Sequence, residues 1–303
     1  MILFLMTRKQ LATPDESTVF ISLLAAEGVE IEIGCYDDIS AFVSMKERRI
    51  WIGTKDLREY QAVYFRSLSG SARSVAALCA LYLKEHDVPF VDSEAAASQS
   101  FSKLQQMYLL AQHAIAIPAT FHGKKQHLDR LLADRTLQFP LIVKGNVASR
   151  GRDNYLVQSE AELQEVLQKK PSGFFIVQEA IPNQGDYRVL VLGGEARWAM
   201  YRQRMNNETH LNNTSQGAMG TVVSLDDSPL ATVRPDLERA AKLLGRDIAG
   251  VDVLFHQETG AYAILEVNRT PQLSNGAQVD QKIAALAAYL KSLQKVDDGS
   301  AGH

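Results

Sequence analysis

The sequence predicts an α/β protein whose C-terminal half turns to antiparallel hairpins, an α+β lobe. Three observations carry this. Over residues 1–92 short apolar runs alternate with helical stretches, the pattern of a small parallel sheet with helices on its faces. Residues 186–192 and 195–203 are strand-like runs on either side of Gly193-Gly194, which marks a tight hairpin. Residues 249–255 and 261–268 are two further apolar runs around His256-Gln257-Glu258-Thr259-Gly260 and make a second hairpin.

Residues 2–6 read as a first buried strand. Arg8-Lys9 follows this run instead of preceding it, and the run is too short to span a bilayer, so neither a signal peptide nor an anchor is expected. Residues 16–26 are helical, with Val19, Phe20, Leu23 and Leu24 on one side; 29–33 and 62–66 are strands, 72–85 a helix and 89–91 a short strand. No GxGxxG follows the first strand, which argues against a dinucleotide site. Arg66, at the end of its strand, reads either as a contact for an anionic substrate or as a surface arginine.

Residues 93–112 are expected as one helix, with Phe101, Leu104, Tyr108 and Ala111 at helical spacing and Lys103 off that stripe. A strand at 119–121 follows, then one at 139–144 that ends in Lys144 beside the small polar loop 145–153. Loop and lysine read either as a phosphate cradle of backbone N–H groups plus an ammonium, or as a connector with a snorkelling lysine. Residues 159–168 are helical, 174–177 a buried strand, and 178–182 an extended connector whose backbone groups could meet an adenine edge. In the first hairpin Asp186 and Arg188 share a face, as do Met200 and Arg202. Residues 206–219 are an Asn-rich polar loop. Residues 234–244 form a helix with Pro235 in its first turn and Gly245 as its stop. A last amphipathic helix at 282–293 precedes a tail at 296–303.

The composition bounds the function. With 303 residues and a net charge of -3, nothing invites nucleic acid or an anionic membrane. Cys35 and Cys79 are the only cysteines, which fits a reducing, cytoplasmic setting and no disulfide framework. In the second hairpin Glu266 and Asn268 share a strand face, and Asp252 can sit opposite. Three oxygen donors on rigid strands suit a hard cation such as Mg²⁺; the same residues would also suit a solvated edge.

From Phe101 to Leu290 the chain resembles the ATP-grasp ligases, and within them the RimK-type glutamate ligases. The resemblance rests on Ser102-Lys103-Leu104, Pro140-Leu141-Ile142-Val143-Lys144, Val177-Gln178-Glu179-Ala180-Ile181 and Asp186-Tyr187-Arg188-Val189-Leu190-Val191. It continues through Asn213 with Gly217, the run Leu244-Gly245-Arg246-Asp247-Ile248-Ala249-Gly250-Val251-Asp252, and Leu265-Glu266-Val267-Asn268. It implies an ATP-grasp fold behind a Rossmann-like pre-ATP-grasp domain: 1–95 for that domain, 96–178 for the small lobe, 179–295 for the large lobe and 296–303 for the tail. It also implies that Lys103 and Lys144 contact ATP phosphates, and that Gln178, Glu179, Ala180 and Ile181 line the adenine and hinge. Asp186 with Arg188 belongs to the nucleotide site, Asp186 at the ribose. Asp252, Glu266 and Asn268 hold one or two Mg²⁺, with Mn²⁺ as a substitute, and Arg202 and Asn213 lie near the γ-phosphate and acyl intermediate.

The implied activity is ADP-forming ligation of a carboxylate to an amine through an acylphosphate. The expected partners are carboxylate and amine substrates (small molecule, peptide or protein tail), with no nucleic acid or membrane, and assembly is expected as a homo-oligomer. An ATP-grasp phosphotransferase or a non-catalytic ATP-binding regulator would share the nucleotide site. Two departures stand out: the loop after Lys144 has fewer glycines than is usual, and Arg269-Thr270-Pro271-Gln272 replaces the family's Ala-Ser-Pro-Gly, placing Arg269 and Gln272 where they could remodel the substrate end.

Overall fold

The computed structural model describes all residues except 13, 67, 69, 98–101, 134–136, 146–153, 170–174, 204–218 and 294–303, with backbone only for 14–17, 125, 131, 145, 175 and 219. The chain begins β1 (Ile2–Met6), α1 (Arg8–Leu11), α2 (Pro14–Ala26), β2 (Ile31–Cys35), β3 (Ile39–Val43), β4 (Arg48–Ile52), β5 (Lys55–Asp56), β6 (Ala62–Phe65), α3 (Ala72–Glu85) and β7 (Phe90–Val91). It continues α4 (Lys103–Gln112), β8 (Thr120–Gly123), α5 (Lys125–Ala133), β9 (Leu141–Gly145), β10 (Asn154–Val157), α6 (Glu160–Gln168) and β11 (Phe175–Glu179). It closes with β12 (Gly185–Leu192), β13 (Glu195–Gln203), β14 (Met219–Val222), α7 (Leu230–Leu243), β15 (Ile248–Phe255), β16 (Tyr262–Asn268) and α8 (Val279–Leu293).

The first sheet is parallel, in the order β2-β1-β6-β7. Every residue of β1 is buried, as befits a strand covered on both faces. One face carries Leu3, Leu5, Val63 and Phe65 against Ala76, Ala80 and Leu83 of α3. The other carries Phe4 and Tyr64 into a core shared with Leu190 and Trp198 of the large sheet and Ile283, Leu286 and Leu290 of α8. The N-terminal sheet therefore buries one face only by packing on the C-terminal half. A four-stranded antiparallel sheet, β10-β9-β11-β8, and a five-stranded one, β14-β13-β12-β15-β16, make up the rest. The helices α4 and α7 cover the second face of the large sheet.

A polar seam ties residues 92–94 to 245–248. Asp92 Oδ1 accepts from Ile248 N–H at 2.8 Å, Ser93 N–H donates to Asp247 Oδ2 at 2.6 Å, and Glu94 N–H donates to the Gly245 carbonyl at 2.8 Å. Arg246 Nε donates to Glu94 Oε2 at 3.0 Å with both side chains buried. Gly245 has φ +62°, and a Cβ there would lie 2.8 Å from Glu94 N, so the αL helix stop read from the sequence also lets two segments meet.

Several expectations need correction. The 93–112 helix is a 3₁₀ turn at Ser93–Ala96 and then α4, capped by Ser102, whose hydroxyl accepts from Gln105 N–H. The apolar stripe is also misplaced: Tyr108 is 69% exposed, Phe101 lies outside the described residues, and the buried face is Gln106, Met107 and Leu110. Helix α7 starts at Leu230, so Pro235 falls inside it. There it cannot donate to the Ala231 carbonyl, a local cost that the buried Leu230, Val233 and Leu237 offset. Sheet β3-β4-β5 was not legible, and neither were α5, β10 and β14. Arg66 is not a surface arginine: it is 2% exposed. No helix among the described residues is long and apolar enough to cross a membrane.

Candidate active site

The strands β12, β13, β15 and β16 place their polar residues on one face of the large sheet. The register sets Asp186 opposite Arg202, Arg188 opposite Asp252, and Asp252 opposite Glu266. Cross-strand partners share a face. A register shift beside Asp252 decides which one. Val253 pairs with Ile264 and Asp252 with Glu266, leaving Leu265 as the extra residue. The bulge lets Ile264 pack in the apolar core, while Glu266, two residues on, emerges on the polar face. A regular strand would have sent both side chains the same way.

Asp252 sits at the centre of this face. Arg188 donates to both of its oxygens, at 2.8 Å from Nη2 to Oδ2. Arg202 Nη2 lies 3.1 Å from Oδ1, and Asn268 Nδ2 donates to Oδ2 at 3.3 Å. Arg202 also holds Asp186 in a fork, 2.7 and 2.8 Å. Burial works to raise the Asp252 carboxyl, but Arg188 and Arg202 together outweigh it and hold it below its ordinary value. Burial pushes Asp186 up to about 6 despite Arg202, with the nearby Asp252 adding to the rise. Asp186, expected at the ribose, is thus committed to Arg202, although a carboxylate holding one fork keeps lone pairs for a hydroxyl.

Two lysines arrive from the other side. Lys103, the first residue of α4, brings Nζ within 3.5 Å of Glu266 Oε1. Lys144, near the end of β9, donates to Gln178 Oε1 at 2.5 Å, and Gln178 Nε2 donates to Thr120 Oγ1 at 2.8 Å. Burial and then Lys103 push Lys144 down to about 8, against the opposing pull of Glu266 and Asp252. Lys103, Lys144, Asp252 and Glu266 therefore lie within electrostatic reach of one another, although they come from α4, β9, β15 and β16. Thr120, which orients Gln178, left no sequence signal.

The connector after β11 is less free than expected. The strand runs through Glu179; Glu179 N–H donates to the Ala119 carbonyl and Ala180 N–H to the Pro140 carbonyl, each at 3.1 Å, and the Ile181 carbonyl accepts from Asn183 Nδ2 at 2.7 Å. Asn213, Gly217, the cradle residues 146–153 and the tail 296–303 lie outside the described residues.

Beside the Asp252 cluster is a cavity of ≈ 200 Å³ whose lining includes Arg188, Arg202, Trp198, Met200, Gln272 and Lys282. Lys282 Nζ donates to the carbonyls of Gln272 (3.0 Å) and Asn275 (2.7 Å), pinning the loop that forms one wall. Burial and then Arg188 push Lys282 down to about 8. Of the two departures after Asn268, Gln272 lines this cavity, whereas Arg269 turns to the Leu68 carbonyl, with its Nε 3.6 Å from Glu94 Oε2.

The donor types suit a hard cation, although here Asp252 is held by Arg188 and Arg202 and Glu266 is paired with Lys103. Among the described residues no three His, Cys, Asp or Glu side chains cluster to hold a metal, but Asp252, Glu266 and Asn268 offer two carboxylates and an amide, which leaves coordination positions for phosphate oxygens.

A model of the RimK-like ATP-grasp domain matches residues 100–292. The chain belongs to the RimK-like ATP-grasp family. As a member it is an ATP-dependent ligase that joins a carboxylate to an amine. A relative in Aeromonas salmonicida (strain A449), named "Probable alpha-L-glutamate ligase", is 27% identical over 84% of each chain. Another of that name, in Syntrophotalea carbinolica, is 31% identical over 60% of each. Among solved structures, the ATP-grasp ligase PsnB complexed with minimal precursor, Mg and ADP superposes with a TM-score of 0.72 at 16% identity, covering 97% of both chains. A Chryseobacterium gregarium RiPP-associated ATP-grasp ligase in complex with ADP and a leader and core peptide gives 0.63 at 14% identity, covering 95% of this chain and 96% of that one. These likenesses agree on the ATP-grasp fold.

Proposed function

We propose that the cleft between β9 and the polar face of the large sheet is where this RimK-like ligase holds ATP and joins its substrates. The observation that carries the reading is the convergence of Lys103 and Lys144 with Asp252 and Glu266. Two cations facing two anions suit a metal–polyphosphate, whose charges pair with each set in turn. Lys144 and Lys103 hold phosphate oxygens, and Gln178, Glu179, Ala180 and Ile181 border the base. Asp186 and Arg188 complete the nucleotide side, with Asp186 also fixing Arg202. Asp252, Glu266 and Asn268 hold one or two divalent cations, which when bound screen the phosphates and draw charge from the transferring group.

Arg202 is buried, preorganised by Asp186, and lines both the Asp252 cluster and the adjoining cavity. In this reading it steadies the acylphosphate that forms when the substrate carboxylate attacks the γ-phosphorus and ADP leaves. Asn213 belongs to the same end. The amine then displaces phosphate and gives up a proton as the amide forms. The cavity is small beside the usual range for drug-sized ligands and suits one amino-acid residue. Because the solved neighbours are complexed with peptide precursors, the reading takes a peptide or protein tail as one substrate and an amino acid as the other, in a cytoplasmic homo-oligomer.

The test is ADP release with pooled amino acids and peptides, followed by mass spectrometry of the product. ADP and phosphate should appear only when both a carboxylate and an amine are present. Release of AMP, or phosphorylation of a hydroxyl without an amine, would overturn the reading.

A further inference from the structure

The N-terminal sheet carries an arginine that nothing above employs. Arg66 follows β6 at the carboxyl end of the parallel sheet, and its N–H donates to the Leu5 carbonyl of β1 at 3.0 Å. The strand order β2-β1-β6-β7 places β2 on one side of β1 and β6 on the other. The carboxyl ends of β1 and β6 therefore mark the point where the winding reverses, where open α/β sheets bind ligands.

Arg66 is 2% exposed. Its Nε and Nη1 have no hydrogen-bond acceptor among the described residues, and no described carboxylate forms an ion pair with it. One side of the guanidinium lies over the Phe20 ring, 4.6 Å from the centroid, which supplies no counter-ion. The fully buried Tyr64 hydroxyl lies within hydrogen-bonding reach of Arg66, in the fields of both Arg66 and Arg269, and neither it nor Arg66 Nε and Nη1 meets a further partner among the described residues. Asp92 Oδ2 is buried and unpartnered too, and burial raises that carboxyl well above its ordinary value. Two more cations frame the segment: Arg73 Nη2 and Arg269 Nη1 donate to the Leu68 carbonyl at 3.2 and 3.3 Å. Among the described residues Glu94, which already serves Arg246, and the buried Asp92 stand against this charge. Arg66 is thus a buried guanidinium with two N–H groups unmet and no carboxylate of its own among the described residues, and buried charged groups demand partners.

We propose that Arg66, with the Tyr64 hydroxyl, forms a carboxylate-binding subsite at the carboxyl edge of the N-terminal sheet. The ligand is the free carboxylate of an amino acid or peptide, whose oxygens satisfy the guanidinium and the phenol together. The inference rests on the ligase reading, because it assigns the N-terminal domain the anchoring of one of that enzyme's substrates. Arg269 links the two regions: it follows the candidate ligand Asn268 and reaches back to Leu68.

The test is thermal shift and calorimetry on the full chain with acetate, succinate, L-glutamate and inorganic phosphate, and separately with ADP–Mg²⁺. At least one carboxylate should bind the wild type. Arg66→Gln should weaken that binding about tenfold or more, and Tyr64→Phe by a smaller factor, with ADP–Mg²⁺ affinity within about twofold of wild type. If Arg66→Gln does not fold, Arg66→Lys, which keeps the charge but loses the fork, and Tyr64→Phe carry the comparison. Binding of no carboxylate, equal binding by wild type and variants, or binding of phosphate alone overturns the subsite. Loss of ADP–Mg²⁺ binding by the wild type instead overturns the nucleotide reading and leaves the Arg66 comparison intact.

Discussion

Lys144 gives the sharpest quantitative handle on the cleft. Burial and the neighbouring Lys103 hold its ammonium at about 8 in the free protein. A polyphosphate bound against it favours the charged form and returns it toward the ordinary lysine value of about 10.4. The sign follows. In the free protein Lys144 is about nine-tenths protonated at pH 7 and about one-tenth at pH 9. Binding a non-hydrolysable ATP analogue with Mg²⁺ should then take up about 0.1 proton at pH 7 and about 0.9 at pH 9. Affinity should weaken about tenfold over that interval, close to 1.4 kcal/mol. Calorimetry in buffers of different ionisation enthalpy reads the uptake directly. Lys144→Met should bind more weakly and show neither uptake nor slope from this group. Uptake below about 0.2 proton at pH 9, or an unchanged slope in Lys144→Met, would refute the reasoning.

Three further outcomes follow from the same geometry. Glu94→Gln leaves Arg246 and Arg269 in the seam without their shared carboxylate, and should cost about 3–5 kcal/mol in denaturant unfolding. Gly193→Ala should destabilise by about 1–3 kcal/mol, because φ is +61° and the new Cβ would meet the Tyr289 ring at 2.5 Å; Tyr289→Ala in the same chain should recover the steric part but not the backbone part. Lys282→Met releases the Gln272 and Asn275 carbonyls from their shared donor, and should raise KM for the substrate in the adjoining cavity while leaving ATP affinity unchanged, as steady-state kinetics would show.

The parts legible in the sequence are those where one physical signal dominates. The strand Ile2–Met6 and the helix Ala72–Glu85 follow from uninterrupted apolarity and from helical spacing. The Gly193-Gly194 turn, with both φ values positive, follows from the residue type alone. Sheet β3-β4-β5 escaped because Phe42 and Val43 are 50% and 62% exposed, so apolarity there does not report burial. The stripe on α4 was misread for the converse reason: its buried face includes Gln106, whose side-chain amide hydrogen-bonds to the backbone of Val267, so a polar residue serves as core. Alternation alone places Glu266 and Asn268 together, but the bulge at Leu265 that turns Glu266 away from the apolar core has no sequence mark. Arg66 shows the remaining limit. One arginine after a strand reads two ways, and only the burial of Arg66 over the Phe20 ring sets the surface reading aside.

The most direct test of the cleft as an Mg²⁺–ATP ligase site is the balance of products in one reaction, wild type beside Glu266→Gln, with the acid and amine found by the pooled screen. The account predicts ADP, phosphate and amide in equal amounts from the wild type and none of the three from Glu266→Gln. AMP in place of ADP, ADP without amide, or near-normal turnover by Glu266→Gln would contradict it.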